Sequence, residues 1–411
     1  MPPRLAQIHD WRLLAIVGGL AAALPHAARA DESAAAAPSV DLTVAYTGET
    51  WSLLGGGQRR GERYLDNLDV QLTIDLEKSI GWPGAKAFVY GLYNNGTSFS
   101  GDLVGDLQGV SNIETGIEAL RLYEAWVDQT FAAGHGSVRF GLYDLNSEFD
   151  ASLVRSLFIN PSHGIGPDFG QAGLNGPSIF PATSLATRVS WTFDGGAYVR
   201  MAVLDGVPDD PNHPKRTTID LRGRDGALIA AEAGLSSENG RVLSIGVWDF
   251  TAAFDDLIET TSLGNPVQRH DNRGAYAGFE DPIWSREEHD PFDLAGFVRA
   301  GIASDDVNPI ASYIGLGLVA TGPFEARPAD KLGVALAIAN VGDKYRTLIQ
   351  ASSGLAAARE INLEVTYQLP LMDGVVVQPD LQWINNPGAN ASIRDAFVVG
   401  VRFKVDHNWS D

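Results

Sequence analysis

The chain has 411 residues, a formal net charge of −21 and no cysteine. That length suits one large domain or two ordinary ones, and the missing cysteine excludes disulfides and thiol chemistry. So acidic a balance argues against a nucleic-acid partner, whose phosphates are met by basic faces.

Residues 1–30 read as a secretory signal. Arg4 and Arg12 give a charged start, "LLAIVGGLAAAL" from Leu13 to Leu24 an apolar middle, and "ARA" at 28–30 a small-x-small cleavage site. Cleavage near Ala30 leaves residues 31–411 as one domain. Arg4, Arg12 and Arg29 against Asp10 make the signal +2, so the mature chain is near −23, since −21 minus +2 is −23. The apolar run, about a dozen residues, is too short to span a bilayer as a helix, and no later segment offers the roughly 18 that a helix needs.

Beyond the signal the chain alternates with period two. Val70, Leu72, Ile74 and Leu76 hold one parity against Gln71, Thr73, Asp75 and Glu77, and Val138, Phe140 and Leu142 hold one against Arg139 and Tyr143. The pattern recurs at Ile361, Leu363, Val365, Tyr367 and Leu369, at Val375, Val377, Leu381 and Trp383, and at Phe397, Val399, Val401 and Phe403. It predicts strands over 40–47, 69–78, 86–94, 119–129, 137–144, 185–193, 197–205, 228–235, 241–250, 274–281, 292–303, 311–320, 331–340, 360–369, 375–384 and 396–405.

Connections alternate too. A long one after the first strand is followed by the short "SIGWPGA" at 79–85, and "DGG" at 194–196 and "PLMDG" at 370–374 are further short ones; the rhythm falters only around 304–330. An all-β, antiparallel transmembrane barrel of about sixteen strands has this design, with short periplasmic turns, longer external loops and an apolar lipid face alternating with a polar lumen. A soluble β-sandwich also alternates, but its loops need not, and it needs no aromatic belt of the kind suggested by Tyr46, Trp191, Tyr367, Trp383 and Phe403 near strand ends.

The longest connection runs from about Leu145 to Ser184 and is the third external loop. Its stretch "GPDFGQAGLNGPSIFPATSLATRV", 166–189, is too apolar for a loop lying in solvent. We therefore expect it to fold into the barrel as a constriction, with Phe169, Leu174, Ile179 and Phe180 packing on the inner wall or narrowing the mouth, and Asn175 beside them.

On the lumen parity stand Glu124, Trp126 and Asp128 in the fourth strand, Arg139 and Tyr143 in the fifth, Arg188 in the sixth, and Tyr198 and Arg200 in the seventh. These are the candidates for lining the pore and binding the substrate that crosses it. Leu120 and Leu122 share parity with Glu124, so that strand either carries a bulge or faces the other way. The competing soluble reading is a periplasmic sugar-binding protein or a glycoside hydrolase; hydrolysis would need two facing carboxylates, for which Glu360, Glu364 and Asp380 are the candidates. His135, His163, His213, His270, His289 and His407 show no metal-ligand spacing, and no nucleophile elbow or phosphate loop is present.

"FGLYDLNSEFD" at 140–150, "NGPSIFPATSLATRV" at 175–189, "GLVATGPFEARPADKLGVALA" at 317–337 and "EINLEVTYQLPLMDGVVVQPDLQWINNPG" at 360–388 resemble, in order and over nearly all of the mature chain, the carbohydrate-selective porins of Gram-negative outer membranes. The resemblance implies a sixteen-stranded barrel in outer-membrane lipid that passes mono- or oligosaccharides passively, without cofactor or metal, through a pore narrowed by a loop. It also implies insertion by the barrel-assembly machinery, which reads a terminal aromatic; here "VRFKV" runs on into "DHNWSD", leaving Phe403 or Trp409 for that part. A homo-oligomer is compatible with it, with monomer or trimer left open.

Overall fold

The computed structural model describes residues 39–410 apart from 222, 224 and 286–291, so the expected signal and its cleavage site lie outside the described residues. The chain forms β1 (Val40–Gly57), β2 (Gly61–Asp75), β3 (Ala85–Asn95), β4 (Glu118–Phe131), β5 (Gly136–Tyr143), β6 (Ser184–Thr192), β7 (Ala197–Asp205), β8 (Ala227–Ser236) and β9 (Val242–Phe250). There follow β10 (Phe254–Thr260), β11 (Pro266–Arg269), β12 (Arg273–Ser285), β13 (Asp293–Ala303), β14 (Ile310–Thr321), β15 (Lys331–Val341), β16 (Arg359–Met372), β17 (Val375–Asn385) and β18 (Arg394–Ser410). All but β10 and β11 make one closed antiparallel barrel of sixteen strands, with β18 paired back onto β1 from Asp41 opposite Ser410. Closure leaves no edge, and this is what lets a sheet sit in lipid with every ladder bond made.

The two parities divide as alternation requires. Ile245 and Val247 of β9, Val298 of β13, Leu316 and Leu318 of β14 and Val401 of β18 point outward and are exposed, whereas Glu232, Arg299, Asn362, Glu364, Gln378 and Gln382 point inward and are buried. Phe131, Trp191 and Phe193 cluster outside at the short-turn end of β4 to β7, where an interfacial belt belongs. Trp409, paired with Leu42, ends the outward row of β18.

Where structure and sequence reading differ, the reason is local. The long loop expected after the first strand is instead a continuation of β1 and β2, closed by residues 58–60. Its residues do not alternate cleanly because Trp51, Leu53 and Leu65 pack against Phe99, Leu103, Val104 and Val110 of the second external loop, L2 (96–117), rather than against lipid. The β10–β11 hairpin and the helix Asp343–Ser353 lie within external connections that period-two reading passes over.

The third external loop, L3 (144–183), enters the barrel. Its backbone donates to inward carboxylates on distant walls, from Asp150 N–H to Glu232 of β8 and from Ile159 and Asn160 N–H to Glu364 of β16, and Gln378 of β17 donates to Leu157 O. Phe158 packs against Phe297 of β13, and Phe169 stacks on Trp248 of β9 at 5.0 Å and 4°. Burying such side chains contributes roughly 1.5–3 kcal/mol each. A segment bonded to β8, β13, β16 and β17 together lies across the interior.

Candidate functional site

The wall from β4 to β8 carries the charged residues singled out by parity. Strand β4 changes parity where Tyr90 faces Glu124 but Gly91 faces Leu122, so Tyr123 is bulged. This places Arg121, Tyr123, Glu124 and Asp128 inside while Leu120 and Leu122 face outward. Arg139 and Arg188 are directly opposed on β5 and β6. Two like charges in that position need carboxylates between them. Asp128 supplies one, 2.9 Å from Arg139 Nε and 2.7 Å from Arg188 Nη2, and Glu148 of L3 supplies the other, 2.7 Å from Arg188 Nε. Tyr143 donates to Glu148 as well, and Arg200 bonds Glu148 O and lies 3.7 Å from Glu232. Burial opposes ionisation of Glu148, but Arg139, Arg188 and Arg200 overcome it and hold the carboxyl below its usual value. Arg139 also lies over the Trp126 ring at 3.7 Å, and Arg200 over Tyr198 at 4.2 Å.

A second clamp sits on the far wall. Arg299 of β13, fully buried, pairs with Asp150 and Asp168, both of L3, and Arg155 pairs with Asp150 at 2.9 Å. Burial pushes both carboxyls up. With two guanidinium groups beside it Asp150 is nevertheless held low, while Asp168, with one guanidinium and the charge of Asp150 nearby, stays raised. Glycine leaves room for this clamp, since a Cβ at Gly166 would push on the Arg299 guanidinium and one at Gly301 on the Asp168 carboxylate. Neither Arg299 nor its partners were among the expected site residues. The same parity that exposed Arg139 marks Arg299 as a lone charge in the apolar run "GFVRAGIA".

Open space lies on the other side of L3. A cavity of about 730 Å³ is enclosed by L2, L3 and the inner faces of β1 to β4. Tyr90 and Tyr123 meet edge to face at 4.9 Å, and Phe180 of L3 approaches Tyr123 at 6.2 Å. Tyr90 donates to Asp69 at 2.6 Å and Tyr123 to Asp144 at 2.7 Å, which fixes both rings. Burial pushes the Asp144 carboxyl up to about 6, opposed by the Tyr123 hydroxyl and by the N–H groups of Asn146 and Ser147. Asn67, Asn112, Asn146 and Gln171 complete a wall of fixed donors and acceptors.

Of the residues picked from sequence, Ile179 and Phe180 line this cavity. Glu124, Trp126, Asp128, Arg139, Tyr143, Arg188, Tyr198 and Arg200 face inward but lie in the β4–β8 wall, held by one another and by Glu148. Phe169 is buried on the opposite wall with Trp248 and Tyr276. Leu174 and Asn175 are exposed instead of packed on the wall, and Asn175 bonds Pro208 O in the next external loop. The carboxylates considered for hydrolysis are also engaged. Glu360 accepts from Leu107, Gln108 and Gly388 N–H and Glu364 from Ile159 and Asn160 N–H, so these two fasten loops to the wall, while Asp380 accepts from the Gln382 amide on its own strand.

Comparison with known proteins agrees with this architecture. The family model described as "Carbohydrate-selective porin, OprB family" matches residues 59–406. Porin B of Pseudomonas aeruginosa is 25% identical over 402 residues, covering 89% of this chain and 87% of that protein. Among solved structures, OprB of Pseudomonas putida at high pH superposes with a TM-score of 0.80 at 22% identity, covering 90% of this chain and 94% of that one. The outer-membrane channel DcaP of Acinetobacter baumannii gives 0.55 at 10% identity, covering 92% and 100%.

Proposed function

The chain belongs to the carbohydrate-selective porin family, an outer-membrane barrel through which sugars cross passively, and from that premise we propose where its selectivity resides. Solutes pass the narrowest part between L3 and the β1–β4 wall, through the cavity bounded by Tyr90, Tyr123 and Phe180. The observation that carries this reading is the pairing of fixed aromatic rings with fixed carboxylates and amides around one open space. Ring edges and faces take the C–H patches of a sugar, and Asn67, Asn112, Asp144 and Asn146 take its hydroxyls. The arginine-rich β4–β8 wall contributes a rigid side to the passage by holding the start of L3 in place.

Liposome swelling with sugars of increasing size tests this. Phe180→Ala and Tyr123→Ala should each admit larger oligosaccharides and weaken discrimination among monosaccharides. An unchanged size limit in both variants would move the narrow point elsewhere. The substrates are then mono- or oligosaccharides, and no step of the passage requires a cofactor. Insertion by assembly machinery through the aromatic row ending at Trp409, and the number of barrels in the functional unit, belong to the same proposal; Trp409→Ala should lower the yield of inserted barrel.

A further inference from the structure

The edge of the cavity formed by L2 is held from behind. Leu107 and Gln108 N–H bond to Glu360, Gln171 of L3 donates to Leu107 O, and Gln382 of β17 donates to Val110 O at 2.9 Å. The backbone of 107–110 is thereby fixed to both L3 and the barrel wall. Its neighbouring side chains are not. Both carboxylate oxygens of Asp106 and both amide atoms of Gln108 are shielded from solvent without a hydrogen-bond partner, and both residues line the cavity. Gln108 is 3% exposed. Unpaired buried polar groups are costly, and here they are grouped on a pinned segment facing space large enough for a small solute.

The charge on the lining itself has one sign, with Arg402 behind it bonded to Asn112. Asp69, Asp106, Glu114 and Asp144 line the cavity, and no lysine or arginine is among its lining residues. Burial, with the nearby Glu360 and Glu114, pushes the Asp106 carboxyl well above its ordinary range, so a cation there would relieve it. A bare metal ion needs several converging oxygens. Among the described residues such convergence occurs at Asp256, Glu259 and Asp306, a different place, where Lys344 and Arg269 already sit.

We propose that Asp106 and Gln108 form a subsite for a protonated amino sugar, with its ammonium on the Asp106 carboxylate and neighbouring hydroxyls on the Gln108 amide, which both donates and accepts. The porin therefore favours cationic over acidic sugars. This rests on the sugar-porin reading above and deepens it.

Purified full-length protein in liposomes, given glucose, glucosamine, N-acetylglucosamine and glucuronate, tests the proposal. The wild type should pass glucosamine faster than N-acetylglucosamine and much faster than glucuronate. Asp106→Asn should lower the glucosamine-to-glucose ratio about tenfold, the size of one charge-assisted hydrogen bond. Gln108→Leu should reduce discrimination between sugars and equally charged methylammonium. Heat-modifiable migration shows that each variant is a folded barrel. If glucose passes and Asp106→Asn leaves the ratio unchanged, the subsite is overturned while the porin reading stands. If an inserted barrel passes ions but no sugar, the porin reading itself falls and the subsite with it.

Discussion

At the scale of single residues, the β4–β8 wall behaves as one ion-pair unit. Arg188 is 2% exposed and reaches both Asp128 and Glu148. A buried guanidinium that loses a carboxylate keeps its desolvation cost without the compensating attraction. Glu148→Gln should therefore destabilise the folded barrel by about 3 kcal/mol, read as a lower unfolding temperature in detergent. Replacing Arg139, Arg188 and Arg200 together by alanine should do more damage still, because Asp128, Glu148 and Glu232 would all be left without their cations. Seen from parity alone these arginines look like free lumen side chains whose loss leaves folding intact; the partner that changes this, Glu148, lies in a loop where no alternation marks its direction. Facing was thus legible in sequence, and pairing across loop and wall was not.

Among elements, loops decide what the sequence shows and hides. All sixteen barrel strands overlap the expected segments, since each carries its own lipid-facing parity, whereas β1 and β2 run on past it because Trp51 and Leu53 meet L2 instead of lipid. L3 was legible as an inward segment from its apolar residues, but its anchors Arg299, Glu364 and Gln378 are contributed by strands more than a hundred residues away. Arg299→Met should release L3 at Asp150 and Asp168, raising single-channel conductance, and Glu364→Leu should release the stretch between them; the double variant should exceed either, since the two anchors hold different residues. Outside the pore, Lys344 on the helix Asp343–Ser353 bonds Asp256 and Glu259 of β10, and Arg269 of β11 bonds Asp256. Burial raises the Asp256 carboxyl, but the hydrogen bonds from Lys344, from Glu259 and Ile258 N–H and from Arg269 outweigh it and hold it below its ordinary 3.8. A carboxyl lowered by folding contributes stability above its unfolded value and loses it as pH falls through the folded one. The tie between hairpin and helix should thus survive down to about pH 3. Pepsin near that pH should cut this region rapidly in Lys344→Ala and slowly in the wild type.

Across the whole molecule the controlling fact is that solvent lies on one side of the wall only in part. The outward row is apolar and exposed, with Leu316 near the middle of β14 between Ile314 and Leu318, while the inward row holds nearly all the charge. In water such a surface would be a large aggregation liability; in lipid it is the stabilising face. This asymmetry separates a membrane barrel from a soluble β-protein, and it predicts that identical chemistry has opposite costs on the two faces. Leu316→Arg puts a charge at mid-depth on the lipid side and should cost about 2–4 kcal/mol. A charge added at Gln171, an exposed residue that lines the cavity, as Gln171→Arg, meets solvent and the acidic lining and should cost far less, altering ion selectivity instead. Refolding both variants from denaturant into lipid vesicles, with folded barrel scored by its heat-modifiable migration, compares them directly. The lipid-face variant should need markedly less denaturant to unfold in vesicles, yet lose that penalty in a detergent whose headgroups reach the wall. Equal penalties for the two substitutions in vesicles would mean that Leu316 does not face lipid, and the assignment of the outward row to the membrane would fail.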